Sequence, residues 1–380
     1  MGLILEFEGK DLFKKYNLPL SEYILVKSAE EAKEAADTLD LPVAVKGQVL
    51  SGGRGKRGLI KIAKTKEEVI QHSIDILSKE SDGRPVTHLL IEKAAEIEQE
   101  FFISMVYDLN SLDLLILFSA EGGVDIEQLA EHKPEAIDKI RISFTKDIYP
   151  FMFYPTLAKR GLSGEIKVKI AGIISTLARM MKSDDLQLAE INPLVITKDK
   201  EVIVLDARII VDDNAMFRHK DRKEYLSEIL RYTESEKDAK DKGLAYVDLG
   251  GTVGMLSVGA GLGMATADLI EVYGGTPRNF LDVGGGASQQ NVEDALQIMM
   301  KDAGLKSILI NAFGGITRLD DVAKGIVAAI ETHNIKIPVI IRLIGTKSKE
   351  GLEIIKAAGH QAYSEMEPAI EAAVEAAKGV

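Results

Sequence analysis

The sequence predicts an α/β chain built from two unlike parts, an N-terminal α+β part and a C-terminal doubly wound parallel sheet. Three observations predict it. From Ala245 onward, short apolar runs are each followed by glycine and then by a helical period, and this order repeats. Before residue 220, helical segments are interleaved with apolar runs, the last two of which form a hairpin. Between two of those runs lies Gly52-Gly53-Arg54-Gly55-Lys56, a loop rich in both glycine and cations. The expected boundaries are 1–220 for the first part, 221–244 for a charged linker or helix, and 245–380 for the second part.

In the first part, a helix is expected near Lys10 to Tyr16 and another over the Ala- and Glu-rich stretch Ala29–Leu39. Strands follow at Val43–Val49 and Leu59–Ala63. Val69, Ile70, Ile74 and Ile76 place an apolar stripe on a helix over Glu67–Ser78. Apolar runs predict strands at Leu89–Lys93, Glu100–Asp108 and Leu112–Phe118. Ile170, Ile173, Ile174, Leu177 and Met180 recur at helical spacing and predict a long helix over Lys167–Lys182. The hairpin follows: Gln187–Ile196, a turn at Lys198-Asp199-Lys200, then Val202–Ile210. The stretch His219–Lys242 is dense in charge and reads as a solvated helix and spacer, with Leu226, Ile229 and Leu230 as its apolar stripe.

In the second part, strands are expected at Tyr246–Leu249, Met255–Val258, Phe280–Val283, Ser307–Asn311 and Pro338–Leu343. Helices are expected at Asn291–Asp302, Asp320–His333, Ser348–Ala358 and Pro368–Lys378. Glycines sit just after several of these strands, where ligands bind in parallel sheets.

With 380 residues, 46% of them hydrophobic, the chain can fill two or three domain cores. No apolar run reaches membrane-spanning length, and the first residues lack the basic-then-apolar pattern of a secretory leader. There is no cysteine, which excludes disulfides, thiolate metal sites and a cysteine nucleophile, and suits a cytoplasmic enzyme. A net charge of −12 argues against nucleic acid as the main partner. Local positive charge at the Arg54 loop therefore points to a small anionic ligand.

Lys46 ends the apolar run Val43-Ala44-Val45, and the glycine-rich loop begins six residues later. Glycines let backbone N–H groups approach phosphate oxygens, and lysine and arginine supply charge there. A loop joining two strands acts as a flap over phosphates, unlike the GxxxxGK[ST] cradle at a helix start, or else is a solvent-exposed hairpin turn. Three flanking glycines leave Arg54 little packing to lose. In Glu190-Ile191-Asn192-Pro193-Leu194, Glu190 and Asn192 share one face of a strand. Folding about the turn sets Asn192 opposite Asp206, an acid in an otherwise apolar run that needs a partner. These hard oxygens suit Mg²⁺ beside phosphates, or form the polar face of an ordinary hairpin.

Glu92 and Ala95 lie where the Leu89–Lys93 strand ends in small residues before Glu100, either a hinge that reads a purine edge or a plain strand exit. The loop Gly314-Gly315-Ile316-Thr317 precedes a helix whose free N–H groups could hold a carboxylate, or is a tight turn capped by Thr317. The match of Gly259-Ala260-Gly261-Leu262-Gly263 to a dinucleotide fingerprint is loose. The six histidines, His72, His88, His132, His219, His333 and His360, form no cluster or ligand-spaced pattern.

Nearly end to end, the chain resembles the succinyl-CoA synthetase β-subunit family of ATP-grasp acyl-CoA ligases. The motifs that carry the likeness are Lys46-Gly47-Gln48-Val49 with the Gly52–Lys56 loop, Glu121-Gly122-Gly123-Val124, Glu190–Leu194, Asn214-Ala215-Met216-Phe217-Arg218, Gly259–Leu262, Phe280–Gly286 and Asn311–Ile316. The resemblance implies an ATP-grasp fold followed by a flavodoxin-like CoA-ligase domain. It implies nucleotide contacts (ATP/ADP) from Lys46, Gly53, Arg54, Gly55, Glu92, Ala95 and Glu100, and Mg²⁺ at Asn192 and Asp206. It further implies a carboxylate substrate near Gly315, Ile316 and Thr317, with position 258 facing it.

Glu190 matches the acid that meets a phosphohistidine carried by a partner α subunit, which also holds most of the CoA site. The implied assembly is αβ or α2β2, acting in the tricarboxylic acid cycle with no nucleic acid or membrane partner. Departures lie in the second part: Gly250-Gly251-Thr252, Val258 and Ile344 stand where the family has aspartate-glycine-asparagine, asparagine and glutamate. Succinate is the leading acid, malate or citrate the runner-up, and a non-catalytic nucleotide-sensing subunit the alternative of another class. Asparagine restored at position 258 is expected to tighten succinate binding.

Overall fold

A computed structural model describes residues 2–81, 83–123, 126–219 and 225–379. The chain forms two compact units, Met1–Arg231 and Tyr232–Val380.

The first unit contains two large antiparallel sheets and a two-stranded antiparallel ribbon, Glu80–Ser81 with Arg84–Pro85. The larger has seven strands, with Gly2–Leu3, Arg208–Val211, Leu186–Thr197, Ile97–Asp108, Asp113–Ser119 and Ile137–Ser143 side by side and Val202–Val204 also paired to Leu186–Thr197. The smaller has four strands in the order Tyr23–Val26, Leu89–Lys93, Val43–Gly47, Ile60–Ala63. Each of the two large sheets has its own core. The long helix Gly164–Ser183 buries Ile170, Ile173, Ile174, Leu177 and Met180 against the larger sheet, along with Phe101, Ile103 and Phe118. The helices Ala29–Leu39 and Lys66–Leu77 cover the smaller sheet over Val43, Val45, Leu89 and Ile91. Ser28 and Thr65 cap those two helices by accepting from the N–H groups of Glu31 and Glu68, which satisfies donors left over at a helix start.

Several elements differ from the sequence expectation. The first helix runs Glu6–Lys15, beginning a turn before Lys10. Its opening turn reads as polar, yet Glu6, Glu8 and Lys10 are all buried, each tied to a partner rather than to water. The expected strand Val202–Ile210 is broken into Val202–Val204 and Arg208–Val211. Residues 205–207 leave the ladder, and this break carries Asp206 out of the sheet pattern. Ile126–His132 forms a helix and Ile137–Ser143 an edge strand, both unmarked by periodicity in the sequence. Residues 220–224 lie outside the described ones, and so does Val124 of the Glu121–Val124 motif. Glu234–Asp241, expected as part of a solvated spacer, is a helix of the second unit. Thr233 and Glu236 cap it reciprocally, and it buries Ala239 in that unit's core.

In the second unit the sheet order is Ala245–Asp248, Asn279–Asp282, Val253–Val258, Ser307–Gly314, Val339–Gly345, Ala362–Tyr363. The last five pair parallel to one another, whereas Ala245–Asp248 pairs antiparallel at the edge. Only residues 249–252 separate it from the next strand, too few for the crossover that parallel pairing needs. Alternate residues fill two cores on opposite faces: Leu256, Val258, Ile308, Ile310 and Ala312 on one, Val253, Met255, Leu309 and Ile340 on the other. The chain first adds Asn279–Asp282 on one side of Val253–Val258, then returns to add Ser307–Gly314 on the other. This reversal is the flavodoxin-like switch point, at the carboxyl ends of the Val253–Val258 and Ser307–Gly314 strands, the place where sheets of this kind bind ligands.

Candidate functional site

A cleft of about 660 Å³ opens in the first unit, with walls from both of its sheets. The Val43–Gly47 strand brings in Lys46, the neighbouring Leu89–Lys93 strand brings Glu92, and residues 52–57 form the flap. Glu190, Asn192 and Asp206 come from the larger sheet and its broken strand. Gly53, Arg54, Gly55 and Ala95 line the same cleft. A Cβ at Gly53 or Gly55 would meet no heavy atom within 4 Å, so the loop backbone stands open to a ligand, and Gly53 takes the positive φ of 70° that glycine tolerates. Glu100 is not among the lining residues. Its carboxylate lies against Gly123, where a Cβ would come within 2.0 Å of Oε2.

Three cations and three acids are interlocked here. Lys46 Nζ donates to Glu6 Oε1 at 3.0 Å and to the Leu205 carbonyl at 2.6 Å, and it also pairs with Glu92. Arg54 donates through Nη1 to Glu6 and through Nη2 to Asp206 Oδ1 at 2.5 Å. Lys10 joins Glu6 at 3.1 Å and Glu92 at 2.6 Å. The guanidinium of Arg54 is thus buried, which corrects the expectation of a loop arginine with little to lose. Flanking glycines do leave the backbone open, but the side chain reaches across to the opposite wall.

Burial alone would raise the Glu6 carboxyl, but the charges of Arg54, Lys46 and Lys10 hold it well below the usual carboxylate range. Burial lowers Lys46, and Glu6, Glu92 and Asp206 more than reverse this, so its ammonium is held above its ordinary value. Lys10 ends below its ordinary value through burial and the neighbouring Lys46 charge. On the opposite wall Glu190 is raised by burial, which Arg208 at 3.8 Å only partly offsets. Glu100 is likewise raised by burial.

Asn192 and Asp206 do converge on the cleft. Asn192 Oδ1 accepts the Gly123 N–H at 2.8 Å, and Asp206 Oδ1 accepts the Ala207 N–H at 2.7 Å as well as Arg54. One carboxylate and one amide oxygen do not enclose a cation, and no cluster of three acidic or histidine side chains forms a metal cage among the described residues. The pair nonetheless fits Mg²⁺ held between a single carboxylate and substrate phosphates, which complete its shell with water.

In the second unit, Gly315 and Ile316 are exposed just past the Ser307–Gly314 strand at the switch point, Ile316 at 93%. Thr317 is buried and its hydroxyl accepts the Gly286 N–H at 2.8 Å, so it braces a neighbouring glycine loop rather than capping the helix, whose N-cap position is Arg318. Val258 is 6% exposed, and its side chain packs in the apolar core with Leu256, Val283 and Ala312. The structure therefore places it inside the sheet's packing, not on the exposed surface beside Gly315 and Ile316.

The ATP-grasp domain family matches residues 3–196 and the CoA-ligase family matches residues 256–376. The succinate–CoA ligase [ADP-forming] subunit beta of Ignicoccus hospitalis is 41% identical over 99% of each chain. The chain belongs to the succinate–CoA ligase β-subunit family. Other relatives include the ADP-forming β subunit of a Hydrogenobaculum species, 43% identical over 93% of this chain and 94% of that one. The GDP-forming β subunit of Thermus thermophilus is 39% identical over 92% of each. ATP citrate lyase from Methanothrix soehngenii, solved with citrate and coenzyme A, shares the fold with a TM-score of 0.74 over 98% of this chain and 99% of that one, at 19% identity.

For a succinate–CoA ligase β chain, the residues that sequence reasoning misses are Glu6 and Lys10, and Gln48 enters it only as a motif member without a role. Gln48 donates to Glu6 at 3.3 Å and accepts the Phe7 N–H at 3.1 Å. The available signal is the i, i+4 spacing of Glu6 and Lys10, visible only once the helix is begun at Glu6.

Proposed function

We propose that the chain is the β subunit of a nucleotide-dependent succinate–CoA ligase, interconverting succinate, CoA and ATP with succinyl-CoA, ADP and phosphate. One observation carries the reading: a single cleft gathers Lys46 and Arg54 with Asp206, Asn192 and Glu190. Phosphoryl transfer asks a protein mainly for position and charge. Lys46 and Arg54 supply fixed positive charge, and the open backbone at Gly53 and Gly55 admits phosphate oxygens. Glu92, Ala95 and Glu100 complete the nucleotide's surroundings, Glu100 from behind Gly123. Asp206 and Asn192 would hold Mg²⁺, which when bound neutralises phosphate charge. No histidine lines the cleft among the described residues, which supports an acceptor brought by another chain.

In this reading a histidine of the α subunit attacks the γ-phosphorus, the bond to ADP breaks and phosphohistidine forms. Glu190, on the wall facing Lys46, holds the imidazole N–H and orients the ring. The phosphoryl group then passes to a carboxylate held near Gly315 and Ile316, and CoA thiolate attacks the acyl carbon as phosphate leaves. The assembly is αβ or α2β2, and the location is cytoplasmic. The test is to coexpress the chain with its α partner and measure acid-dependent release of ADP and of GDP, with thioester formation, over a panel of acids. Succinate is expected to give Mg²⁺-dependent thioester. Absence of turnover with every acid and both nucleotides overturns the proposal.

A further inference from the structure

We propose that Glu6 is a positioning residue of the nucleotide site, a single carboxylate that holds Lys46 and Arg54 in the arrangement the phosphates meet. The inference rests on the nucleotide reading above and extends it to a residue outside the recognised motifs. Each oxygen of Glu6 holds one cleft cation: Oε1 accepts Lys46 at 3.0 Å, and Oε2 accepts Arg54. The two cations come from different places, Lys46 from a strand and Arg54 from a flap in which a Cβ at Gly52, Gly53 or Gly55 would meet no heavy atom within 4 Å, so the flap is held by little side-chain packing and neither cation fixes the other. Glu6, by contrast, stands on the first turn of a helix anchored by Leu12 and Phe13 in the core. Lys10, one turn on, binds the same Oε1 and also Glu92, whose other oxygen meets Lys46. That closed ring leaves Glu6 no freedom to swing. Asp206 is the second holder of Arg54, but in the proposed reaction it serves a cation. Glu6 then remains as the carboxylate that orients the guanidinium.

Glutamine at position 6 keeps the size of the side chain but offers one acceptor and one NH₂ donor. The donor faces one of the two cations and releases it. The test is a double-mutant cycle on the full-length chain, reading affinity for a non-hydrolysable ATP analogue with Mg²⁺ by titration calorimetry, with thermal unfolding alongside. Arg54→Ala and Glu6→Gln are each expected to weaken binding about ten- to a hundredfold, the loss of one charge-assisted bond. The double variant is expected to lose less than the product of the two single losses, because part of the effect of Glu6 acts through Arg54 and only the part through Lys46 remains. If Glu6→Gln does not fold, the cycle is run in a Lys10→Met background, which removes the facing buried cation and restores neutrality. A Glu6→Gln variant that unfolds earlier yet binds normally, or losses that multiply in the double variant, overturns the proposal and leaves Glu6 a structural ion pair. Normal binding by Arg54→Ala instead overturns the nucleotide reading, and this inference with it.

Discussion

Replacing Asp206 by asparagine separates the two tasks assigned to that carboxylate. Asparagine keeps the shape and retains an oxygen for the Ala207 N–H, which Asp206 Oδ1 accepts at 2.7 Å. What is lost is the charge opposite Arg54 at 2.5 Å. The Asp206 side chain is 27% exposed, so its charge-assisted bond belongs at the lower end of the usual range, about 1.5 kcal/mol. For a unit of this size that lowers the unfolding midpoint by roughly 3–6 °C. The cluster of Glu6, Glu92 and Asp206 against Lys10, Lys46 and Arg54 is balanced in the native chain, and the variant leaves it one positive charge in excess. Nucleotide binding without Mg²⁺ is therefore expected to be retained or strengthened. A neutral amide pair is a poor seat for a divalent cation, so Mg²⁺-stimulated phosphorylation of the α subunit is expected to fall on the order of a hundredfold or more, nearly 3 kcal/mol of barrier. Single-turnover transfer from labelled ATP, followed across a magnesium titration, reads this directly. Native rates at every magnesium concentration would refute the assignment of Asp206 to the cation.

Glu190→Gln is expected to abolish histidine phosphorylation while stabilising the fold. Because burial raises the folded-state value of Glu190, the native chain binds this proton more tightly than the unfolded chain. Its stability relative to the glutamine variant therefore declines as pH rises above the ordinary carboxylate range, and unfolding midpoints of both proteins measured from acid to neutral pH should diverge in that sense. Parallel curves would show that Glu190 is not held protonated. Val258→Asn is expected to destabilise by about 1–3 kcal/mol, since a buried amide replaces an apolar side chain without an assured partner. KM for succinate should not fall. A lower KM in the assembled enzyme would mean that position 258 reaches the substrate after all.

Much of the fold is legible because its apolar periods are clean. Ala29–Leu39 and Leu89–Lys93 are bounded by residues that name their own ends, and the strand–glycine–helix order after Ala245 leads directly to a parallel sheet. Ala245–Asp248 misleads because an edge strand carries the same residues whichever way it pairs, and only its short connection tells. Lys46, Arg54, Asn192 and Asp206 can be picked out because charge or amide interrupts an apolar run or a glycine loop. Glu6 and Lys10 cannot, because buried ion pairs look like solvated surface in a sequence, and the partners beyond their own helix that neutralise them lie 40 to 82 residues away. Val258 shows the converse. Its likeness to a ligand-facing position is a matter of alignment, whereas strand alternation turns its side chain into the core.

The most direct measurement is transfer of the γ-phosphoryl of labelled ATP in the purified chain, with and without its α partner. With the partner and Mg²⁺, acid-labile, base-stable label is expected on a histidine of α, lost on addition of ADP and, in the forward direction, on addition of succinate and CoA. Without the partner, nucleotide is expected to bind, with no label transferred and no thioester made. Label on this chain, or thioester formed by it alone, would contradict the division of labour in which this chain holds the nucleotide and another carries the phosphate.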